Sequence, residues 1–184
     1  CKVYPDITAT PEVPDLALIV IPPSAVREAL AGCIARGVKA VIIETAGFGE
    51  LGEEGKEQEA GFARMAREAG IRLMGPNSVG TIDTHARFDA SLGRLNEFFM
   101  PRGELHPGRA GFIGQTGLFT GVFLPLLNGD IGISKLVALG NKCEVDESDM
   151  LEYFGEDPET SFIGMYLESI KDGQRFMKAA RRIL

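Results

Sequence analysis

Basic charge is the first thing this sequence is short of. Its 19 lysines and arginines are set against 26 aspartates and glutamates, a net charge of −7 with an isoelectric point near 4.9. Nucleic acid asks for a basic stripe along one face, so that partner is excluded. Any anionic ligand has to be held by local dipoles and a few donors. Cysteine is scarce as well: Cys1, Cys33 and Cys143 are far apart, odd in number and without a C-x-x-C pair. That removes a disulfide framework and a structural zinc site, and it fits a reducing cytoplasm. No metal site is expected from His85 or His106, since neither has a cysteine, carboxylate or second histidine at ligand spacing. No apolar run approaches the ~20 residues that span a bilayer and no signal peptide is visible, so a membrane partner is not expected. The G-x-S-x-G elbow, the H-E-x-x-H helix and the Walker A loop are all missing, and with them the chemistries they carry.

What is present is alternation. Residues 16–21 (LALIVI) are a continuous apolar run, the pattern of a strand buried on both faces. Ser24 is placed to cap a helix over residues 25–36, with Val26, Leu30, Cys33 and Ile34 on one face and Gly37 at its end. Residues 38–43 read as a second strand and 46–49 as a tight loop. A helix over 52–69 has glutamates early and arginines late, as the macrodipole favours. Gly70 stops it, and residues 71–74 make a third strand. Residues 93–109 then lose periodicity and carry two prolines and three glycines, a linker composition. A second alternation follows, with strands at 110–113, 133–139 and 162–167 and helices near 117–128, 146–154 and 172–184. Strands separated by helices of this length predict α/β architecture in two parallel-sheet units, residues 1–93 and 109–184, joined by a linker over 94–108. The chain opens on Cys1 and closes inside an amphipathic pattern (Phe176, Ala179, Ala180, Ile183) without a C-cap, so it reads as part of a longer polypeptide.

Two short turns carry the chemistry. Gly75-Pro76-Asn77-Ser78-Val79-Gly80 and Gly114-Gln115-Thr116-Gly117 each follow an apolar strand. Turns at the carboxyl ends of parallel strands are where open α/β sheets bind ligands. In the second, the Thr116 hydroxyl and the amides of Gly117 and Leu118 can converge on a phosphate or carboxylate at a helix start. The plain alternative is a glycine-rich helix start with an ordinary threonine cap. Asn77 and Ser78 are the polar groups of the first turn, which by itself is equally a simple loop. Pro22-Pro23 is a stiff wall without donors, suited to an apolar or purine face, and Glu44-Thr45-Ala46 sits one strand over. Glu168 ends the last strand. From the residues alone, the conclusion is a pair of α/β units with an anion or nucleotide-derivative site at their strand ends.

The order of motifs resembles a known family. Val13-Pro14-Asp15-Leu16-Ala17-Leu18-Ile19-Val20-Ile21-Pro22-Pro23, Ala46-Gly47-Phe48-Gly49-Glu50 and Gly75 to Gly80 resemble the CoA-binding domain of NDP-forming acyl-CoA synthetases, the ADP-forming acetyl-CoA synthetase alpha type included. These enzymes are relatives of the succinyl-CoA synthetase alpha subunit. Phe112-Ile113-Gly114-Gln115-Thr116-Gly117, Val137 to Lys142, Asp157-Pro158-Glu159-Thr160 and Tyr166 to Gly173 continue the likeness. The resemblance implies that residues 1–93 are the later part of a Rossmann-like CoA-binding domain and 109–184 the first part of a flavodoxin-like ligase domain. It implies a ligase that interconverts acyl-CoA, NDP and phosphate with acid, CoA and NTP through acyl phosphate and phosphohistidine. By the same likeness Pro22, Pro23, Glu44, Thr45 and Ala46 line the CoA site, with Asn77 and Ser78 near the thiol end. Gln115, Thr116 and Gly117 hold phosphate, and Glu168 orients the phosphohistidine.

The departures from the family pattern set further expectations. Its glycine-rich pyrophosphate loop is expected upstream of Cys1, its histidine segment after the Lys171-Asp172-Gly173 helix, and NDP, NTP and magnesium belong to an ATP-grasp domain or subunit outside this sequence. The chain by itself is therefore expected to be inactive and to bind CoA weakly. Gly114 stands where the family usually has serine. Gly121 stands where succinyl-CoA enzymes carry a substrate-facing tyrosine, which argues against succinate as the acid. Exposed apolar sheet edges point to a homo-oligomer. The alternative reading is a CoA sensor of the kind fused to protein acetyltransferases.

Overall fold

Three aliphatic runs in the first half of the chain become three parallel strands, β1 (Leu16–Ile19), β2 (Ala40–Ile43) and β3 (Arg72–Met74), in the order β1-β2-β3. The structure, a computed structural model, describes residues 2–92, 107–117 and 131–183. Two compact units emerge, Cys1–Ser78 with Asn141–Val145, and Val79–Gly140 with Asp146–Leu184. In the first, α1 (Pro23–Arg36) and α2 (Glu53–Ala69) connect the strands, and each closes on a left-handed glycine, Gly37 and Gly70. Helix α1 starts at Pro23, so Ser24 lies inside the first turn and makes no cap bond. Proline at the first helical position has φ preset and no N–H to satisfy, which removes the need for a serine cap there. Val26, Leu30 and Cys33 pack with Ile19, Val41, Ile43 and Leu73, and Phe48 meets Phe62 edge to face at 5.3 Å.

Strand β1 departs from its expected double burial. Among the described residues it pairs only with β2, and Leu18 is 43% and Val20 55% exposed. It is the edge of its sheet among the described residues, and Leu18 and Val20, on one face of the run, stay exposed there.

The second unit has a mixed sheet. Strands β6 (Pro107–Gly114), β7 (Ile133–Ala138) and β8 (Phe162–Tyr166) are parallel, β6 lying between the other two. On the far side of β7 sits an antiparallel hairpin, β4 (Gly80–Asp83) and β5 (Phe88–Ser91). Helices α3 (Glu147–Glu156) and α4 (Gly173–Ile183) complete the described elements. Helix α3 opens with a reciprocal capping box between Asp146 and Asp149.

The parallel βαβ core matches the expected fold class, and the hairpin is the addition. By contacts the two compact units divide between Ser78 and Val79, and the hairpin belongs with the second. The hairpin lacks an Asn-Gly or Asp-Gly turn. Its turn is closed instead by Asp83, which accepts the Ala86 N–H at 2.9 Å, and by Arg87 in the left-handed region. Pro107 and Gly108, assigned to the linker, open β6, and residues 94–106 lie outside the described residues. No helix among the described residues is long and apolar enough to cross a membrane.

An ion triad centred on the buried Lys135 fastens hairpin to sheet. Lys135 on β7 reaches Asp157 at 2.7 Å and Asp83 at 3.3 Å, and Thr160 donates to Asp157 at 2.6 Å. Burial alone raises the Asp157 pKa, but the Lys135 and Thr160 hydrogen bonds and the Lys135 charge outweigh it and hold the carboxyl below its ordinary range. The stability this contributes is present above the unfolded carboxyl pKa of about 3.9 and is lost as pH falls through the lower folded value. Lys135→Met leaves two carboxylates facing each other without a cation. It is expected to destabilise the second unit by about 3 kcal/mol in urea unfolding at pH 7, with a smaller difference from wild type at pH 3.

Candidate functional site

In the first unit, three strand ends converge because parallel strands all finish on one edge of their sheet. Thr45, directly after β2, ties that edge together. Its hydroxyl donates to Ile21 O at 2.8 Å and receives the Ile21 N–H at 3.2 Å, and the Asn77 N–H donates to Thr45 O at 3.0 Å. The Pro22-Pro23 wall, Glu44, Thr45, Ala46, Asn77 and Ser78 therefore lie on one edge of one sheet. The Gly75-Pro76 bond is cis and Asn77 is left-handed. Gly75, at φ 95°, admits no other residue, because a Cβ there stands 2.2 Å from Ile43 O. Asn77 is exposed and Ser78 buried.

Glu44 is the anomaly of this edge. It is only 8% exposed, and its Oε1 has no hydrogen-bond partner among the described residues. Burial pushes its carboxyl above the ordinary range. Sequence reasoning missed a second feature, a clamp around Asn141. The Asn141 side-chain amide donates to Glu50 and Glu59, both at 2.6 Å. Those carboxylates in turn accept the N–H groups of Gly47, Phe48 and Gly49. Asn141, Cys143 and Val145 donate their backbone N–H groups to Pro76, Gly75 and Leu73. Gly140-Asn141-Lys142, with Gly140 and Lys142 both left-handed, was the available signal, but Asn141's partners lie 82 and 91 residues away.

In the second unit, β6 and β8 are neighbours in register, Gly114 opposite Tyr166. The turn after β6 and the segment after β8 therefore share an edge. The Gln115 N–H donates to Tyr166 O at 2.9 Å. Its side-chain oxygen accepts the N–H groups of Glu168 at 2.9 Å and Ser169 at 3.1 Å. Thr116 follows, and Gly117 is the first helical residue. Strand β8 stops at Tyr166, so Glu168 stands two residues past its end, in an exposed bend. Gln115, Thr116, Gly117 and Glu168 are thus brought to one end of two adjacent strands. Leu118, Gly121, His106 and the rest of the helix expected over 117–128 lie outside the described residues. His85 is far from this edge in the fold's logic. Its ring contacts Gly108 O at 2.8 Å and Glu159 at 3.6 Å, at the opposite, entering end of β6. Glu144 serves structure, accepting the Leu73 N–H at 2.8 Å.

Comparison with known proteins fits this layout. A CoA binding domain model matches residues 1–84 and a succinyl-CoA ligase like flavodoxin domain model matches residues 107–184. The alpha subunits of acetate–CoA ligase [ADP-forming] II and I of Pyrococcus furiosus are 38% and 39% identical, each over 99% of this chain. The chain spans 38% of the length of each of these relatives. Among solved structures, a Ca. Korarchaeum cryptofilum dinucleotide forming acetyl-coenzyme A synthetase 1 in complex with phosphate and ADP superposes with a TM-score of 0.86. It is 35% identical, covering all of this chain and 38% of the other.

The sign of the Glu44 effect is testable. Its folded pKa is raised, so below the unfolded value of about 4.3 the group is neutral in both states and costs nothing. The penalty appears as pH rises past that value and saturates above the folded pKa. Glu44→Gln is expected to raise the chain's Tm at pH 7.5 by a few degrees, roughly 1 kcal/mol, and to leave it unchanged at pH 4. A fall in Tm at pH 7.5 shows that the carboxylate is satisfied in the folded state.

Proposed function

The chain belongs to the NDP-forming acyl-CoA synthetases, a CoA-binding domain followed by a succinyl-CoA ligase-like flavodoxin domain, and from that premise we propose that it is part of an acid–thiol ligase. The reaction joins acyl-CoA, NDP and phosphate to free acid, CoA and NTP. A phosphate oxygen attacks the thioester carbonyl, the C–S bond breaks, and CoA leaves as thiolate. The acyl phosphate then passes its phosphoryl group to a histidine, releasing the carboxylate, and the histidine passes it to NDP. Neither His85 nor His106 sits in a motif for that role, so histidine, nucleotide and magnesium belong to other parts of the whole protein, an ATP-grasp domain or subunit among them. Its setting is the cytoplasm.

In this reading the edge of the first unit holds CoA. Pro22 and Pro23 are the donor-free wall, Glu44, Thr45 and Ala46 the floor, and Asn77 and Ser78 stand towards the thiol. The edge of the second unit holds phosphate between the Thr116 hydroxyl and the amide of Gly117, with Glu168 for the phosphohistidine. The observation that carries the reading is the Gln115 N–H bond to Tyr166 O. It sets the Thr116 turn and the Glu168 segment on neighbouring strand ends, where a donor turn and a carboxylate are both needed. The phosphate-bound Korarchaeum relative supports the same class of ligand.

Inorganic phosphate titrated into the labelled chain is expected to shift the Thr116 and Gly117 amides, weakly and with screening by salt. Thr116→Val, which keeps shape and removes the hydroxyl, is expected to weaken phosphate about tenfold. Calorimetry against CoA supplies the second arm. CoA binding with no phosphate response at those amides points to a sensor instead of a ligase.

A further inference from the structure

We infer that Gln115 is a positioning residue whose side chain holds the Glu168 segment beside the Thr116 turn, and that it acts on phosphate through Glu168 instead of touching phosphate itself. The inference rests on the phosphate reading of the turn. It begins from what Gln115 already does. Two backbone N–H groups, of Glu168 and Ser169, point at one side-chain atom at 2.9 and 3.1 Å. Only an oxygen accepts both, so the orientation of the amide is fixed by its surroundings. The amide nitrogen then faces Ser169 Oγ at 3.3 Å. Gln115's backbone N–H is spent on Tyr166 O. Both donors and acceptor of this residue are therefore turned along the strand ends, and the residue next in the chain is Thr116.

The far end of the same segment is tied down as well. Glu147, fully buried in the first turn of α3, accepts the Lys171 N–H at 2.7 Å. Arg175, at the start of α4, reaches Asp149 at 2.7 Å and Asp146 at 3.3 Å. Residues 168–171 thus run between two side-chain acceptors, Gln115 on the β6 side and Glu147 on the α3 side. Glu168 itself is exposed. A surface carboxylate on an untethered bend spends most of its time away from any one ligand. Here the backbone beneath it is anchored from the residue adjoining the turn, which fixes where its charge is felt.

The test uses Gln115→Leu, Gln115→Asn, Glu168→Gln and their combinations in this chain, read by amide exchange and by inorganic phosphate titration. In wild type the Glu168 and Ser169 amides are expected to be protected. Leucine removes the acceptor and asparagine keeps the amide but falls one methylene short, so either is expected to speed exchange of those two amides at least about tenfold, with other β6 and β8 amides unchanged. Glu168→Gln relieves repulsion of phosphate and is expected to tighten binding about two- to fivefold when Gln115 is present, and to have no effect when it is Leu or Asn. An equal effect of Glu168→Gln in both backgrounds overturns the inference, and so does unchanged exchange in the Gln115 variants. A chain whose Thr116 and Gly117 amides ignore phosphate refutes the phosphate reading of the turn and, with it, action on phosphate through Glu168. The exchange arm then reports only whether Gln115 anchors the segment.

Discussion

Parallel strands leave a debt of unsatisfied backbone at their carboxyl ends, and this chain meets it with side chains. Beyond the last ladder bond, each N–H and C=O must find a partner or stay in water. Thr45 serves both Ile21 groups, Gln115 takes two N–H groups past β8, and Glu147 takes Lys171. Glu50 and Glu59 do the same for the loop after β2. Most of these are acceptors answering N–H donors. The acidic balance of the sequence is therefore partly architectural, since several of its carboxylates are hydrogen-bonded into strand-end loops instead of standing free at the surface.

That use of carboxylates bears on how an acidic protein can hold an anion. A carboxylate that accepts backbone N–H groups is fixed in place, and its negative field is partly offset by the dipoles it binds. At the edge of the second unit the tethering acceptor closest to the Thr116 turn in sequence is the neutral amide of Gln115, not a glutamate. A neutral tether fastens the loop without adding repulsion to the site. Glutamate at the far tether, Glu147, is buried and engaged with Lys171, away from the turn in sequence and in element.

Much of this was legible before any coordinates. The apolar runs at 133–139 and 162–167 and the helix over 52–69 fall within a residue or two of their observed bounds, because periodicity and glycine stops are local signals. The resemblance carried the domain identities. Three things were not legible, each for want of a local signal. The hairpin β4–β5 has no glycine turn and its pairing partner, β7, lies some fifty residues on. Ser24 looked like a cap, and Pro23 made one unnecessary. The hydrogen bonds of the Gln115 side chain run to residues 53 and 54 positions away, a pairing that no local pattern announces.

Glu44 runs against the rule that the other strand-end groups follow. Where Thr45, Gln115, Glu50 and Glu59 are all committed to backbone, Glu44 is buried with an oxygen that has no partner among the described residues. A buried carboxyl without donors is a cost that packing alone does not require, because leucine or glutamine of similar size fits the same space. It lies beside the Pro22-Pro23 wall and the Asn77 turn, on the edge that the CoA-binding model covers. Burial without a donor to Oε1 among the described residues lifts the carboxyl above its ordinary range, and that same burial is why removing its charge is expected to stabilise the fold above the unfolded pKa.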